Sequence, residues 1–291
     1  MILVIPAEIF AVGSGLFSAI NLILLKKGMA HSNAITAIVI SLTINVLVFW
    51  GFVLLVLPLD EILHPELLIF VLVGLIQPGS TRFLAYLSVQ KVGVAVTAPL
   101  RATTPLFSSL MAIMVLGEQL TMPVAFGTAF VVGGVTTISR GEKGSNNWRN
   151  IYIFLPLISA FVAGSTQVVR KIGLAQIPLP ILGAAITTST SFVVIMLSLL
   201  ASRKSSMLEF NRKSLWYFSL AGLAVTMGVA SVFMSLSLSD VVIVAPLSSL
   251  SPLFSLILTA VFLREVEVIT PRVVIAACLI VLGVVMITAV R

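Results

Sequence analysis

The second half of this chain repeats the first, and both copies are almost wholly apolar. The stretch Val94-Ala-Val-Thr-Ala-Pro99-Leu-Arg-Ala-Thr-Thr-Pro105-Leu-Phe107-Ser108 returns as Val241-Val-Ile-Val-Ala-Pro246-Leu-Ser-Ser-Leu-Ser-Pro252-Leu-Phe254-Ser255. Glu118 follows the first copy and Glu265 the second, each ten residues after its serine. The offset of 147 residues in a chain of 291 divides the protein into halves. Hydrophobic residues make up 59% of the chain, charged residues only 9%, and the mean hydropathy is +1.20. A water-facing surface needs about a quarter charged residues, so the chain reads as an integral protein of the cell membrane. Its net charge of +7 does not point to nucleic acid, because the basic residues stand between apolar runs. There they orient helices and meet anionic lipid heads.

A bilayer core takes about 20 apolar residues in a helix. Apolar runs at about 5–25, 34–57, 67–88, 93–116 and 122–139 give five spans in the first half. Those at about 151–170, 180–201, 214–237, 241–263 and 271–290 give five in the second. The fold expected is all-α, with repeats at 1–140 and 150–291 joined by the polar linker Arg140–Arg149. Five is odd, so the second copy enters the membrane from the opposite side, and the repeats are inverted. The N-terminus lacks the pattern of a cleaved signal, so the first run reads as a retained span. Trp148, Tyr152, Trp216 and Tyr217 fall at span ends, where interfacial aromatics belong. With the N-terminus outside, twelve basic residues, including Lys26, Lys27, Arg140 and Arg149, share the cytoplasmic side. Three (Arg170, Lys171 and Arg291) lie opposite them. The positive-inside rule therefore puts both termini outside.

Ten spans, a five-plus-five duplication and a Pro-Leu-Phe…Gly-Glu segment together resemble the EamA group of the drug/metabolite transporter superfamily. The resemblance rests on Ser88, Ala98, Pro99, Pro105, Leu106, Phe107, Leu116, Gly117 and Glu118. It rests equally on Ser235, Ala245, Pro246, Pro252, Leu253, Phe254, Leu263 and Glu265, with Arg264 where the first copy has Gly117. It implies a transporter of amino acids or other metabolites, and a central cavity lined by spans 1, 3, 4, 6, 8 and 9. It also implies cytoplasmic termini, against the loop charges.

Arg101 in span 4 and Arg82 in span 3 are the sharpest chemical signals. Lys91 marks the turn between those spans; Arg82 precedes it by nine residues and Arg101 follows it by ten. Both therefore sit about 14 Å from the turn, near mid-bilayer. A charge at that depth costs several kcal/mol unless it meets water, a partner or a ligand. The functional reading is a site for a carboxylate or phosphate; the bland one is an arginine satisfied by carbonyls or snorkelling to the headgroups. Pro99, Pro105, Pro246 and Pro252 kink spans 4 and 9. Pro105 frees the carbonyl of Arg101, and Pro252 frees that of Ser248. Thr104, Ser248 and Ser251 are among the hydroxyls able to satisfy freed groups.

Spans 1 and 6 carry matching polar faces: Ser14, Ser18 and Asn21 on one, Ser159, Thr166 and Arg170 on the other, with Gln167 beside Thr166. Interhelical hydrogen bonds explain such faces as readily as pore lining. Tyr86, with counterpart Phe233, either walls a cavity or packs. Gly127, Gly133, Gly134 and Gly283 suit close packing of spans 5 and 10, or a homodimer face there. Glu118 and Glu265 read as acids stabilising the start of the following helix.

Nothing in the sequence calls for a cofactor. His31 and His64 lie in connections, the lone Cys278 forms no disulfide, and no cluster has metal-ligand spacing. There is no Gly-x4-Gly-Lys-Ser/Thr phosphate loop and no nucleophile paired with a base. The expectation is a secondary carrier of a small polar or anionic metabolite, amino-acid-like, working by export or exchange. The competing reading is a membrane receptor or assembly scaffold that transports nothing.

Overall fold

The computed structural model describes residues 6–58, 64–92, 100–101, 103–139, 152, 154–202, 208–251, 253–254, 257–258 and 271–288, and every regular element among them is helical. The helices of the first half are α1 (Ala7–Met29), α2 (Ala34–Val56), α3 (Leu68–Ile76), α4 (Gly79–Val92), α5 (Thr104–Leu116) and α6 (Met122–Ser139). Those of the second are α7 (Phe154–Gln176), α8 (Pro180–Ala201), α9 (Arg212–Leu238), α10 (Val241–Ser248) and α11 (Pro271–Thr288). Among the described residues five helical stretches are long and apolar enough to cross a membrane: Ala7–Met29, Ala34–Val56, Pro65–Ala85 (interrupted at Gln77), Pro180–Ala201 and Arg212–Leu238. The linker, with Trp148, lies outside the described residues, as do Pro99, Pro252 and Glu265.

Local signals set the helix ends. Asn33 caps α2, its side chain accepting from the Thr36 N–H at 3.0 Å. Asn211 and Ser214 form a reciprocal capping box at the start of α9. Gly117 ends α5 in the left-handed conformation, φ 69°, which a residue with a Cβ adopts only under strain.

The packing carries a two-fold pattern. Span 1 (α1) packs on span 8 (α9), and span 6 (α7) packs on span 3 (α3 and α4). Span 4 (α5) lies against span 6, and span 9 (α10) against span 1. Spans 2 and 7 pair with each other, as do spans 5 and 10. Each relation is preserved when the repeats are exchanged. A two-fold that exchanges halves of five spans lies in the membrane plane, as parity requires.

Apolar residues cover the outside: Leu47, Leu54, Met114, Phe126, Leu200 and Val285 are all exposed, and Leu55 is 87% exposed. In lipid this surface is matched to its solvent, and helix association falls to close packing and interhelical hydrogen bonds. Both are present. A Cβ on Gly127 would stand 2.7 Å from the Gly283 carbonyl, and one on Gly134 would stand 2.7 Å from the Ala276 carbonyl. Those glycines let α6 and α11 approach within one chain. Gly133 meets nothing within 4 Å and takes no part in that contact. Trp50 Nε1 donates to Ser189 Oγ at 2.7 Å, and Thr226 Oγ1 donates to Asn45 Oδ1 at 2.8 Å.

One expected span is broken. The run at 67–88 reads as a single helix, but it stops at Ile76, passes through extended Gln77, and restarts at Gly79. Pro78 has no N–H to continue the ladder. Its repeat partner is Val225, and α9 runs through that position unbroken. The Gly79 N–H left over by the interruption donates to Ser191 Oγ at 2.8 Å, and a side-chain bond from Thr166 Oγ1 to Gln77 Oε1 holds the break against α7.

Candidate functional site

The break in span 3 places a helix N-terminus inside the bundle. Twelve residues separate Pro65 from Gln77, so the break is about 18 Å from the start of the span, near the middle of a ~30 Å core. The first turn of α4 carries Arg82. Its guanidinium Nη1 donates to Ser41 Oγ on α2 at 2.9 Å, and the residue is half-buried.

Facing this turn is α7. Ser159 Oγ donates to the Thr81 carbonyl at 3.2 Å, and Thr166 meets Gln77, so the two helices run antiparallel in register. Four residues beyond Thr166 is Arg170, only 8% exposed, with its guanidinium 5.0 Å from the centre of the Phe233 ring on α9. The Arg170 Nε is buried without a hydrogen-bond partner. Helical side chains lean toward the N-terminus of their own helix. Arg82 therefore leans back toward Gln77 and Arg170 toward Thr166, and from opposite ends they approach one level. No Asp or Glu occurs anywhere in α2, α4, α7 or α9.

The other expected site residues are distributed around this centre. Arg101 is exposed, and its carbonyl, freed by Pro105, accepts from Thr104 Oγ1 at 2.7 Å. Ser14 is buried and donates back to the Ala11 carbonyl at 2.6 Å, while Asn21 is half-buried on α1. Thr166 also donates to the Val162 and Ala163 carbonyls, and Gln167 Oε1 is buried without a partner. Ser248 donates to the Val244 carbonyl across the last turn of α10, where Pro246 interrupts the ladder. Half-buried Ser251 has its backbone against Gly15 of α1, 3.3 Å from where a Cβ there would stand. Tyr86 lies on α4, and its side chain falls outside the described set. Arg170 was legible as part of a polar face; its burial over an aromatic ring was not.

A second polar cluster ties the repeats together on the side where spans 1, 3, 5, 7 and 9 begin. Glu118, in the connection between α5 and α6, reaches past the following helix. Its two carboxylate oxygens accept from the Val241 and Val242 N–H groups, each at 3.0 Å. These open α10 of the other repeat, whose N-cap Asp240 makes no side-chain capping bond. The expectation that Glu118 serves the next helix is corrected accordingly. An N-terminus from an inverted neighbour is brought to it by the fold, which the linear sequence does not display. Burial pushes the Glu118 carboxyl above the usual glutamate range, opposed by the two backbone N–H groups. Beside it Lys171 Nζ donates to the Leu236 and Ser239 carbonyls at 3.0 and 2.9 Å, at the end of α9. Ser235 Oγ donates to the Ala7 carbonyl at 2.8 Å, closing α1 onto the same corner.

A helical membrane bundle with two exchangeable halves and polar groups gathered at a broken mid-membrane helix has the construction of a secondary transporter. The chain belongs to the EamA-like transporter family, whose profile matches it twice, over residues 5–140 and 150–289. The structure is similar to a solved crystal structure with a TM-score of 0.82 at 17% sequence identity. That alignment covers 98% of this chain and 96% of the other and speaks to the fold alone. No curated protein matches the sequence.

Proposed function

We propose that this membrane transporter carries a small polar or anionic metabolite by alternating access, through export or exchange, with amino-acid-like solutes the first to assay. The observation that carries this reading is the Glu118 contact between the end of span 4 and the start of span 9. It joins the repeats on one membrane side, and the sequence repeat sets Glu265, Val94 and Ala95 at the equivalent positions of the other side. A device whose residues recur in both halves and are inverted between them is what alternate closure requires. The substrate meets residues of both repeats: Arg82, Arg101, Tyr86, Asn21, Ser14 and Thr104 from the first, Thr166, Gln167, Ser248 and Ser251 from the second. Pro99, Pro105, Pro246 and Pro252 would give spans 4 and 9 the freedom to bend. The absence of an acid from the middle of the described spans favours exchange or facilitated diffusion over proton symport.

Purified protein in liposomes, given a broad panel of radiolabelled metabolites under exchange conditions, tests the proposal. Saturable movement of at least one is the expected result. Failure of every solute under every ion gradient would favour a scaffold or receptor. Arg101→Ala should weaken transport strongly without loss of expression, and Arg101→Lys should restore only part, because an ammonium lacks the planar fork. We also propose a homodimer through the outer faces of α6 and α11, measurable as twice the monomer mass by light scattering in detergent.

A further inference from the structure

We propose that Arg170 and Gln167 form a recognition site for an α-substituted carboxylate. The guanidinium takes the carboxylate, and the Gln167 side-chain oxygen accepts from an ammonium or hydroxyl on the adjacent carbon. The proposal rests on the transport reading and names the class of solute carried. Arg170 is 8% exposed, so it is enclosed in the bundle and does not snorkel to the headgroups. The Phe233 ring lies under its guanidinium, 5.0 Å from the ring centre, and that ring packs on Phe70 with centres 6.1 Å apart. An aromatic face attracts a cation but does not neutralise it. Among the described residues Arg170 Nε is buried without a hydrogen-bond partner, and so is Gln167 Oε1. Helices α3, α7, α8 and α9 meet here: a Cβ on Gly173 or on Gly183 would strike the Phe70 ring, and one on Gly183 would also crowd Phe233. None of those four helices contains an Asp or Glu. A charge enclosed without an acid in a membrane bundle is costly until an anion reaches it.

The pairing with Gln167 follows from the helix. At about 100° per residue, Gln167 lies about 60° from Gly164 on one side and about 60° from Arg170 on the other. Gly164 packs on α5, where a Cβ would stand 2.8 Å from the Ser108 nitrogen, and Arg170 meets α9. Gln167 thus occupies the stripe of α7 between those two contacts. Residues three apart on a helix have Cβ atoms about 5–6 Å apart, a span that neighbouring groups of one small solute can bridge. A guanidinium fork suits a carboxylate, which accepts two parallel N–H bonds. The amide oxygen beside it suits a donor on the α-carbon, and a carboxylate lacking that donor leaves it unsatisfied. The pair belongs to one copy of the repeat. At the 145-residue offset that relates Ser14 to Ser159, Leu22 stands for Gln167 and Leu25 for Arg170. Span 1 holds its place with leucines there, so helix packing does not call for the polar pair.

The test is ligand-induced thermal stabilisation of the purified full chain in neutral detergent, at constant ionic strength. The probes are matched sets with methyl, isobutyl and benzyl side chains. Each set holds the α-amino acid, the α-hydroxy acid, the unsubstituted carboxylate and the amine that lacks a carboxylate. In at least one set the amino or hydroxy acid should stabilise the protein more than the unsubstituted carboxylate, and the amine should not stabilise it. Arg170→Gln should weaken binding of the better acid by about ten- to hundredfold, the loss expected for a charge-assisted hydrogen bond. Gln167→Leu should reduce it to the level of the unsubstituted carboxylate, a loss of about three- to tenfold for a neutral hydrogen bond. Equal stabilisation by substituted and unsubstituted acids in every set would overturn the proposal, as would stabilisation by none. A merely structural Arg170 would lower the melting temperature of the free protein and leave the ligand-dependent shifts intact, which would also overturn it. If Arg170→Gln does not fold, Gln167→Leu and Arg170→Lys carry the test, the lysine variant binding more weakly because an ammonium lacks the fork. The two readings fail separately. Binding of these acids without flux in liposomes would keep the site and refute the carrier. Flux of other solutes that survives both substitutions would keep the carrier and refute the site.

Discussion

Replacing Glu118 by alanine should expose the backbone amides of Val241 and Val242. The first N–H groups of a helix have no intrahelical acceptor and exchange with solvent readily unless something else holds them. Among the described residues it is the Glu118 carboxylate that holds them, with one oxygen on each amide at 3.0 Å. A hydrogen bond to a charged group is worth about 1.5–3 kcal/mol, which converts to roughly ten- to hundredfold protection per amide. Glu118 is half-buried, so the lower part of that range applies. Hydrogen–deuterium exchange of a peptide spanning 240–245 should therefore show both amides exchanging about ten- to thirtyfold faster in Glu118→Ala, on the same reckoning. The Ile243 and Val244 amides, which donate to the Asp240 carbonyl, should change little. The pH dependence has a definite sign. The folded carboxyl holds its proton more tightly than the free group at 4.5, so acidification favours the folded state at this residue. The same protonation removes an acceptor, so protection of the two amides should fall at a pH above the ordinary glutamate range. Unchanged exchange in Glu118→Ala would refute the cross-repeat contact.

Further predictions concern packing, coupling and orientation. A Cβ on Gly164 would stand 2.8 Å from the Ser108 nitrogen and 3.1 Å from the Thr104 carbonyl, both backbone atoms, so Gly164→Val should force α7 off α5. A fall in melting temperature larger than that of Gly13→Val, whose site is open, checks this. Uptake should not depend on a pH gradient, and Glu8→Gln should transport as the wild type does; gradient-driven uptake lost in that variant would establish proton coupling. With Cys278 replaced, a cysteine placed in the 140–149 linker should resist impermeant maleimide on intact cells if both termini are outside. Labelling from outside would put the termini in the cytoplasm.

The architecture was legible because hydropathy and repetition are linear properties. A 147-residue offset and five apolar runs per copy are enough to give the inverted bundle. The freed carbonyl of Arg101 and its hydroxyl partner were also readable, because Thr104 lies three residues away and Pro105 dictates which group is released. What was hidden depends on contacts between distant helices. Glu118 looks like a local cap until α10 is brought to it. Arg170 looks like one more polar residue until Phe233, 63 positions later, is placed beneath it. The broken third span stood between the two. Pro78-Gly79 marks a weak point, and it is the Ser191 hydroxyl of another helix that takes up the Gly79 N–H left over there, while Thr166 holds the Gln77 side chain.

Trans-stimulation in liposomes is the most direct test of alternating access. Vesicles containing the protein are preloaded with unlabelled solute, and entry of the labelled solute is compared with entry into empty vesicles. A carrier that must reorient its site returns faster when loaded, so preloading should accelerate a saturable entry, and Glu118→Ala should change the rate of that exchange. Entry that is linear in concentration and indifferent to preloading would contradict the account.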